Sequence, residues 1–222
     1  MILAAGRGER MRPLTDTMPK PLLEVGGKPL IVRQIEALAR AGFDRIAINV
    51  SWLGEAVKQA LGDGKQWGVS LYWSEENPAL ETAGGIARAL PLLKRGAVVI
   101  VSADIYTEFD YRKLTPRVVE VDAAVRPCAH LVMVPNPPYH LDGDFVLGDD
   151  GTLSLDEHAG AARLTFGNIG VYHTDLFTYI DPNVPQKLTP YYRQWIAQNI
   201  VSGERYDGFW KNIGAPQDLA EV

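Results

Sequence analysis

The sequence contains very little cysteine. Only Cys128 is present among 222 residues, so no disulfide can form within the chain, and a reducing compartment is its natural setting. We expect Cys128 to be a small buried apolar residue. Long apolar runs are also missing: the apolar start covers only a few residues, and no run is long enough to span a bilayer. These absences predict a cytoplasmic protein with no signal peptide and no membrane partner.

Positive charge is in deficit as well. The chain has 22 Lys and Arg against 27 Asp and Glu, which gives a formal net charge of −5 at pH 7. A nucleic-acid-binding surface needs an excess of cations, so we expect no nucleic-acid partner. The hydrophobic fraction of 46% over 222 residues is enough to bury a core and fits one α/β domain. A local cluster of cations in such a chain would serve a small anion.

The cations gather near the beginning of the chain. Residues 2–5 are an apolar run typical of a strand, and a loop containing Gly6 and Gly8 follows. Three cations come next: Arg10, Arg12 and Lys20. Glycine lets a backbone approach a ligand closely and leaves its N–H groups free to face an anion. The segment matches neither a Walker A loop nor G-x-G-x-x-G, so the glycines and cations alone leave two interpretations open. They form either a cradle for a nucleoside triphosphate or a tight turn with a solvated basic face.

Helix and strand patterns alternate behind this loop. Helical spacing or β-type runs predict helices at 29–41 and 53–61 and strands at 45–50, 69–73 and 98–102. This alternation predicts a mostly parallel sheet with helices on both faces. Ligands of such sheets bind beyond the carboxyl ends of the strands, where the glycine loop would also lie.

The second half of the chain is predicted to contain more strand than helix. Strands are expected at 129–134 and 164–172, and a hairpin is expected around Asp149-Asp150-Gly151. The remaining expectations are a helix that ends near Pro116 followed by a loop to residue 127, and helices at 175–180 and 191–199.

Two stretches carry residues suited to a nucleotide and its metal. Residues 80–86 read L-E-T-A-G-G-I, with glycines where a helix should begin; they serve either close packing or an open floor for a base and its ribose. Asp104 follows the apolar strand at 98–102. An aspartate there either caps a helix or holds Mg²⁺, which is usually bound by one or two carboxylates together with substrate phosphates.

The order of these motifs resembles the sugar-1-phosphate nucleotidyltransferases. That family opens with L-A-A-G-x-G-x-R-[ML]-x-P-L-T followed by P-K-P-L, and every fixed position is present between Leu3 and Leu22. The string L-E-T-A-G-G resembles the uridylyltransferase form of the base-binding turn. The resemblance continues in order to Leu219 and is strongest to the short bacterial uridylyltransferases that act on N-acetylmuramate 1-phosphate.

The resemblance implies a single-domain α/β fold of the Rossmann-like, glycosyltransferase-A-like nucleotidyltransferase type, with a mixed, mostly parallel sheet. Residues 1–105 would form the nucleotide-binding part and residues 106–222 the sugar-phosphate-binding part, with no further C-terminal domain. The implied reaction joins UTP and a sugar 1-phosphate into a UDP-sugar and pyrophosphate, for N-acetylmuramate as part of peptidoglycan recycling. Uridine and the muramic sugar rest on the resemblance alone, because no cation for a lactyl carboxylate is identifiable from spacing. Glucose 1-phosphate and mannose 1-phosphate are the alternatives within the same class. A monomer or weak homodimer is expected.

The resemblance also implies a role for each matching residue. The catalytic residues would be Arg10, Lys20 and Asp104, with Arg12 near the β- and γ-phosphates. The nucleotide site would comprise Leu3, Ala4, Ala5, Gly6, Gly8, Arg12, Lys20, Glu81, Thr82, Ala83 and Gly84. The sugar would face Asn168 and Gly170, and Mg²⁺ would bind Asp104 and Asn212.

One position departs from the family pattern. The family carries W-x-D-[IV]-G-[TS] near the end, and its aspartate is the second metal ligand. Here Trp210, Ile213 and Gly214 match, but Asn212 replaces the aspartate and Ala215 the small hydroxyl residue. An amide oxygen can ligate Mg²⁺ but brings no charge. A catalytically weak nucleotide-binding paralogue is therefore an alternative of a different class.

Overall fold

The computed structural model describes residues 1–155 and 163–222. The helices of this part of the chain are α1 (Leu30–Arg40), α2 (Gly54–Leu61), α3 (Glu81–Ala89), α4 (Thr115–Asp122), α5 (Thr189–Ala197) and α6 (Pro216–Ala220). Its strands are β1 (Ile2–Leu3), β2 (Glu24–Val25), β3 (Lys28–Pro29), β4 (Arg45–Val50), β5 (Ser70–Glu75), β6 (Ala97–Ser102), β7 (Ile105–Thr107), β8 (Ala129–Val134), β9 (Phe145–Leu147), β10 (Leu153–Ser154), β11 (Arg163–His173), β12 (Val201–Arg205) and β13 (Trp210–Asn212). No helix among the described residues is both long and apolar enough to cross a membrane.

A mixed sheet organises the molecule. Its main path runs β10-β9-β11-β6-β1-β4-β5, and β8 joins it by pairing with β11 and β12. The four strands β6, β1, β4 and β5 are parallel, with Ile2 of β1 opposite Ile48 and Val101. The long β11 runs antiparallel to β6, β8 and β9. The carboxyl ends of the four parallel strands therefore meet at one edge, as predicted for the first half of the chain.

Helices cover both faces of the sheet. Successive side chains of a strand point to opposite faces, and in β4 Ile46 and Ile48 belong to one apolar cluster while Ala47 belongs to another. Helices α1, α2 and α4 pack into the first cluster, and α3 and α5 pack into the second. Cys128 is half-buried against the first cluster, and burial raises the pKa of its thiol.

Two predicted helices differ from those observed. Pro116 lies in the first turn of α4, so the helix begins there instead of ending; the first turn tolerates proline because its missing N–H would have no partner in any case. At 175–180 the chain forms only a short 3₁₀ turn, Thr174–Phe177. Pro182 limits this segment, because the residue before a proline avoids the helical region.

The C-terminal segment is attached to the sheet edge by a small separate ladder. Strand β13 pairs antiparallel with β7, which places Asn212 opposite Ile105. Ile213 N then donates a hydrogen bond to Asp104 O at 2.8 Å. This ladder brings the end of the chain beside the carboxyl end of β6.

Candidate active site

Lys20 is packed against the turn that follows β1. Gly8 has φ 69°, a left-handed conformation that favours glycine, and a Cβ at this position would lie 3.1 Å from Lys20 Cβ. Thr15 Oγ1 donates a hydrogen bond to Gly8 O at 2.8 Å, which closes the turn. Lys20 itself opens a 3₁₀ turn after Pro19. The lysine stem is therefore fixed by the loop that the motif predicted.

Lys20 and Asp104 form an ion pair. Lys20 Nζ donates a hydrogen bond to Asp104 Oδ2, and the two side chains are only 11% and 29% exposed. A charge-assisted hydrogen bond is stronger than a neutral one, and partial exclusion of water strengthens it further. Two of the three predicted catalytic residues are thus in direct contact.

A first cavity of about 410 Å³ opens beside this pair, at the carboxyl ends of the parallel strands. The predicted site residues that line it are Leu3, Ala4, Ala5, Gly6, Lys20, Glu81, Thr82 and Asp104. All of its lining residues lie between positions 3 and 104. The first cavity is therefore built from the part of the chain predicted to bind the nucleotide.

A second cavity of about 390 Å³ adjoins the first. The two cavities share Leu3, Glu81, Thr82 and Ser102. Most of the other residues lining the second cavity come from 139–212. The two halves of the chain thus enclose one cleft with two compartments, and a molecule in one compartment would lie next to a molecule in the other.

A buried hydrogen-bond chain supports the floor of the first cavity. Ala4 N donates to Asn49 Oδ1 at 2.8 Å, and Asn49 Nδ2 donates to Glu76 Oε1 at 2.7 Å. The other oxygen of Glu76 accepts from Leu80 N at 2.7 Å. Burial raises the pKa of Glu76, and the hydrogen bonds from Leu80 and Asn49 oppose that shift. Both Asn49 and Glu76 line the cavity, and neither was predicted from the sequence.

Arg7 is a further cation of the first cavity. Its guanidinium carbon lies 4.0 Å from the centre of the Trp52 ring, a cation–π distance. Arg7 Nη1 donates to Thr15 O at 2.6 Å, and Trp52 Nε1 donates to the same oxygen at 3.1 Å. Arg7 also pairs with Asp16 at 3.2 Å. These contacts hold the positive charge of Arg7 at the first cavity. Position 7 is a variable position of the N-terminal motif.

The two predicted arginines of the loop take different places. Arg12 is 57% exposed and pairs with Asp16 at 2.8 Å, outside the lining of the first cavity. Arg10 lies against the C-terminal segment, since a Cβ at Gly214 would come within 3.2 Å of Arg10 Nη2. Arg10 therefore lies next to the segment that carries Asn212.

Tyr139 lies beside Asn212, and both line the second cavity. Tyr139 is 58% exposed; partial burial of its ring raises the pKa of Tyr139, and the negative charge of Asp218 acts in the same direction. The positive charge of Arg10 and a hydrogen bond with Asn212 oppose that shift. Tyr139 follows the prolines at 135–138, a stretch without a recognisable functional motif, and it connects this irregular segment to the predicted metal ligand.

The N-terminal turn of α3 divides into an exposed and a buried part. Glu81 and Thr82 line both cavities. Ala83 and Gly84 are buried, Ala83 N donates to Gln186 O at 2.8 Å, and a Cβ at Gly84 would approach Val184 O to 2.5 Å. The glycine therefore permits close packing of residues 184–186 against the helix, which was one of the two interpretations of this motif.

The two residues predicted to face the sugar, Asn168 and Gly170, lie in different environments. Asn168 has φ 57° and sits in the irregular stretch where the pairing of β11 with β8 shifts register, and it lines the second cavity. Gly170 is buried within β11, where a Cβ would lie 2.7 Å from the Tyr172 ring. Tyr172 itself lines the second cavity and exchanges a hydrogen bond with Tyr192 at 2.5 Å. The absence of a side chain at Gly170 therefore leaves space for the Tyr172 ring.

The donor atoms near Asp104 suit a metal ion that also binds a substrate. Residues 1–155 and 163–222 contain no group of three or more His, Cys, Asp or Glu side chains placed to hold a metal. The available donors are the Asp104 carboxylate, which lines the first cavity, and the amide oxygen of Asn212, which lines the second. The β7–β13 ladder brings the backbones of their two segments together. One carboxylate and one amide oxygen fit Mg²⁺, a hard cation that takes oxygen ligands and commonly shares substrate phosphates.

Comparison with known proteins decides the family. The profile of the Nucleotidyl transferase family matches residues 1–222. This chain belongs to the nucleotidyl transferase family. It is 45% identical to the N-acetylmuramate alpha-1-phosphate uridylyltransferase of Neisseria meningitidis serogroup B over 100% of this chain and 95% of the relative. A protein of the same name from Caulobacter vibrioides is 32% identical over 98% of this chain and 92% of the relative.

The fold of this nucleotidyl transferase is shared with solved structures. A chain assigned as a glucose-1-phosphate thymidylyltransferase from Bacillus anthracis superposes with a TM-score of 0.84 at 19% identity, covering 99% of this chain and 91% of that one. At this level of identity the similarity concerns the fold alone. The single-domain fold with a mixed sheet, predicted from the motifs, is confirmed.

Proposed function

We propose that this nucleotidyl transferase is a uridylyltransferase that joins UTP and N-acetylmuramate 1-phosphate into a UDP-sugar and releases pyrophosphate. The 45% identity over the whole chain to a relative of that name supports this substrate pair. The observation that carries the reaction type is the cleft, in which the Lys20–Asp104 pair lies at the first of two adjoining cavities. The first cavity would hold the nucleotide and the second the sugar phosphate.

The chemistry requires charge neutralisation more than proton transfer. The second pKa of a phosphate monoester is about 6, so the sugar phosphate is largely a dianion at neutral pH and needs no general base. One of its oxygens forms a bond to the α-phosphorus of UTP while the bond from that phosphorus to the bridging oxygen breaks and pyrophosphate leaves. Lys20 would stabilise the charge of this transition state, and Arg10 would act from the side of the C-terminal segment. Glu81 and Thr82 lie between the cavities and would contact the uridine.

Mg²⁺ is part of the proposal. Asp104 would hold it through a carboxylate oxygen, and Asn212 would add a neutral amide oxygen. When bound, the ion neutralises phosphate charge and aligns the reacting groups. Tyr139 lines the second cavity together with Asn212 and would help to orient its amide.

The remaining expectations also belong to this proposal. Residues 1–105 would bind the nucleotide, which agrees with the origin of the first cavity, and residues 106–222 would supply most of the sugar-phosphate site. The enzyme would act in the cytoplasm, in peptidoglycan recycling, as a monomer or weak homodimer.

Pyrophosphate release from the purified protein tests the proposal. The four common nucleoside triphosphates are crossed with the 1-phosphates of N-acetylmuramate, N-acetylglucosamine, glucose and mannose. The highest kcat/KM is expected for UTP with N-acetylmuramate 1-phosphate. A preference for GTP with mannose 1-phosphate would replace the substrate assignment within the same family.

A second candidate function follows from Asn212. The loss of one metal-binding carboxylate is compatible with a nucleotide-binding paralogue that has little activity. Such a protein would bind UTP in a calorimetric titration but release no pyrophosphate above background with any sugar 1-phosphate. The same panel therefore separates the two candidates.

A further inference from the structure

The second cavity contains a lysine that none of the sequence motifs identified. Lys187 lines this cavity together with Thr189 and Tyr192 of α5. Lys187 belongs to the irregular segment before α5. It is in a different cavity from the Lys20–Asp104 pair, which lines the first. The cavity that would hold the sugar therefore has a cation of its own.

The backbone that carries Lys187 is firmly held. Its neighbour Gln186 accepts a hydrogen bond from Ala83 N at 2.8 Å and donates one from its own N to Leu80 O at 2.9 Å. The Gln186 side chain accepts another from Tyr191 Oη at 2.5 Å. The following residue, Leu188, is buried at 6% exposure. A cation mounted between two fixed residues loses little backbone freedom when it binds a ligand.

The Lys187 ammonium group is not paired with another described residue. Among the described residues it has no ion pair or hydrogen bond, whereas Lys20 is paired with Asp104 and Lys211 with Glu221. The anion Asp144 in the same cavity is already engaged: it lies 3.2 Å from His140 Nε2 and accepts a hydrogen bond from Phe166 N at 2.8 Å. Lys187 is thus the lysine of this cavity that is available to a ligand.

We propose that Lys187 is a specificity residue that binds a carboxylate on the sugar, and so selects N-acetylmuramate over sugars that lack one. This inference rests on the proposed function. N-acetylmuramate differs from N-acetylglucosamine by a lactyl ether, which places a carboxylate on the sugar ring in addition to the phosphate. A lysine in the sugar cavity would donate a charge-assisted hydrogen bond to the lactyl carboxylate, an acceptor that N-acetylglucosamine 1-phosphate lacks.

The test compares two substrates that differ only in that group. kcat/KM is measured by pyrophosphate release at saturating UTP, with N-acetylmuramate 1-phosphate and with N-acetylglucosamine 1-phosphate. The variants are Lys187→Met, which keeps the length and apolar stem of the side chain, and Lys187→Arg, which keeps the charge. Lys94→Met serves as a control, because Lys94 is an exposed lysine that lines a different cavity.

Lys187→Met is expected to lower kcat/KM for N-acetylmuramate 1-phosphate on the order of tenfold to a hundredfold, mainly through KM. The value for N-acetylglucosamine 1-phosphate should stay within about twofold, Lys187→Arg should restore most of the loss, and Lys94→Met should match wild type. An equal loss for both sugars would overturn the proposal, because the lysine would then act on the phosphate they share. No loss for either sugar would overturn it as well.

A binding measurement keeps this inference separate from the proposed activity. Trp210 lines the second cavity, so tryptophan fluorescence can report binding of each sugar 1-phosphate without turnover. If wild type releases no pyrophosphate, the proposed activity fails, but a loss of affinity in Lys187→Met confined to N-acetylmuramate 1-phosphate still supports the role of Lys187. Equal affinities of wild type and Lys187→Met for that sugar would overturn it.

Discussion

Lys20 and Asp104 are 84 positions apart in the chain, yet Lys20 Nζ donates a hydrogen bond to Asp104 Oδ2. The contact arises because β1 and β6 are neighbours in the parallel part of the sheet, with Leu3 opposite Ser102. The loop after β1 and the residues after β6 therefore emerge at the same edge. Several measurable consequences depend on this arrangement.

Lys20→Ala should reduce kcat/KM about a hundredfold or more, because a partly buried cation that binds the reacting phosphates would contribute several kcal/mol to transition-state stabilisation. The variant is assayed by pyrophosphate release, and its melting temperature is compared with that of wild type. Lys28→Ala is the control, since Lys28 is paired with Glu36 at 2.7 Å outside both cavities. Near-normal turnover of a folded Lys20→Ala protein would refute the assignment.

The metal site should respond to the charge at position 212. Asn212→Asp is expected to keep activity and to lower the Mg²⁺ concentration that gives half-maximal rate, because a second carboxylate attracts the cation more strongly. Asp104→Asn should be nearly inactive, because it leaves the metal no charged protein ligand. The rate is measured across a Mg²⁺ titration at fixed UTP.

Asp207 provides the control for this titration. It pairs with Arg205 at 2.7 Å and is 62% exposed, so Asp207→Asn should behave as wild type, whereas Asn212→Ala should require more Mg²⁺. The opposite pattern, a normal Asn212→Ala and a defective Asp207→Asn, would show that Asn212 is not the ligand.

Arg7 should contribute more than Arg12 to UTP binding. Both pair with Asp16, but Arg7 lines the first cavity and Arg12 is 57% exposed outside it. Arg7→Ala is expected to raise KM for UTP about tenfold through loss of a charge-assisted contact, and Arg12→Ala to raise it less. A larger effect of Arg12→Ala would instead support the role that the motif assigns to Arg12.

The neighbouring carboxylates Glu75 and Glu76 should give stability changes of opposite sign with pH. Burial raises the pKa of Glu76 above its ordinary 4.5. Its contribution to stability is therefore fully present below pH 4.5 and is lost as pH rises through the raised pKa. A hydrogen bond from Lys58 lowers the pKa of Glu75. Its contribution is present above pH 4.5 and is lost as pH falls through the lowered pKa.

Urea unfolding at several pH values between about 3 and 8 measures both effects. Relative to Glu76→Gln, wild type should lose stability as pH rises from about 4.5. Relative to Glu75→Gln, wild type should lose stability as pH falls below about 4.5. The same sign for both pairs of proteins would contradict burial as the cause of the pKa shift of Glu76.

Local sequence was sufficient for much of the fold. The predicted strands 45–50 and 129–134 coincide with β4 and β8, because apolar runs of this length between polar turns have few other ways to bury both faces. The N-terminal motif also predicted the turn at Gly8 and the position of Lys20, since these residues contact one another within one short segment. Helix boundaries near Pro116 were wrong, because a proline is accepted equally after a helix and in its first turn.

The other residues of the site were decided by tertiary structure. Asn49 and Glu76 lie near the carboxyl ends of β4 and β5, so the general rule for ligand sites in parallel sheets could have identified them. Lys187 had no such signal, because it lies in an irregular segment that reaches the cleft only by packing against α3. A sequence determines what each residue can do chemically and which short segments become strands or helices. Which distant side chains share a cavity depends on strand order and packing, and these emerge only when the whole chain buries its apolar surface together.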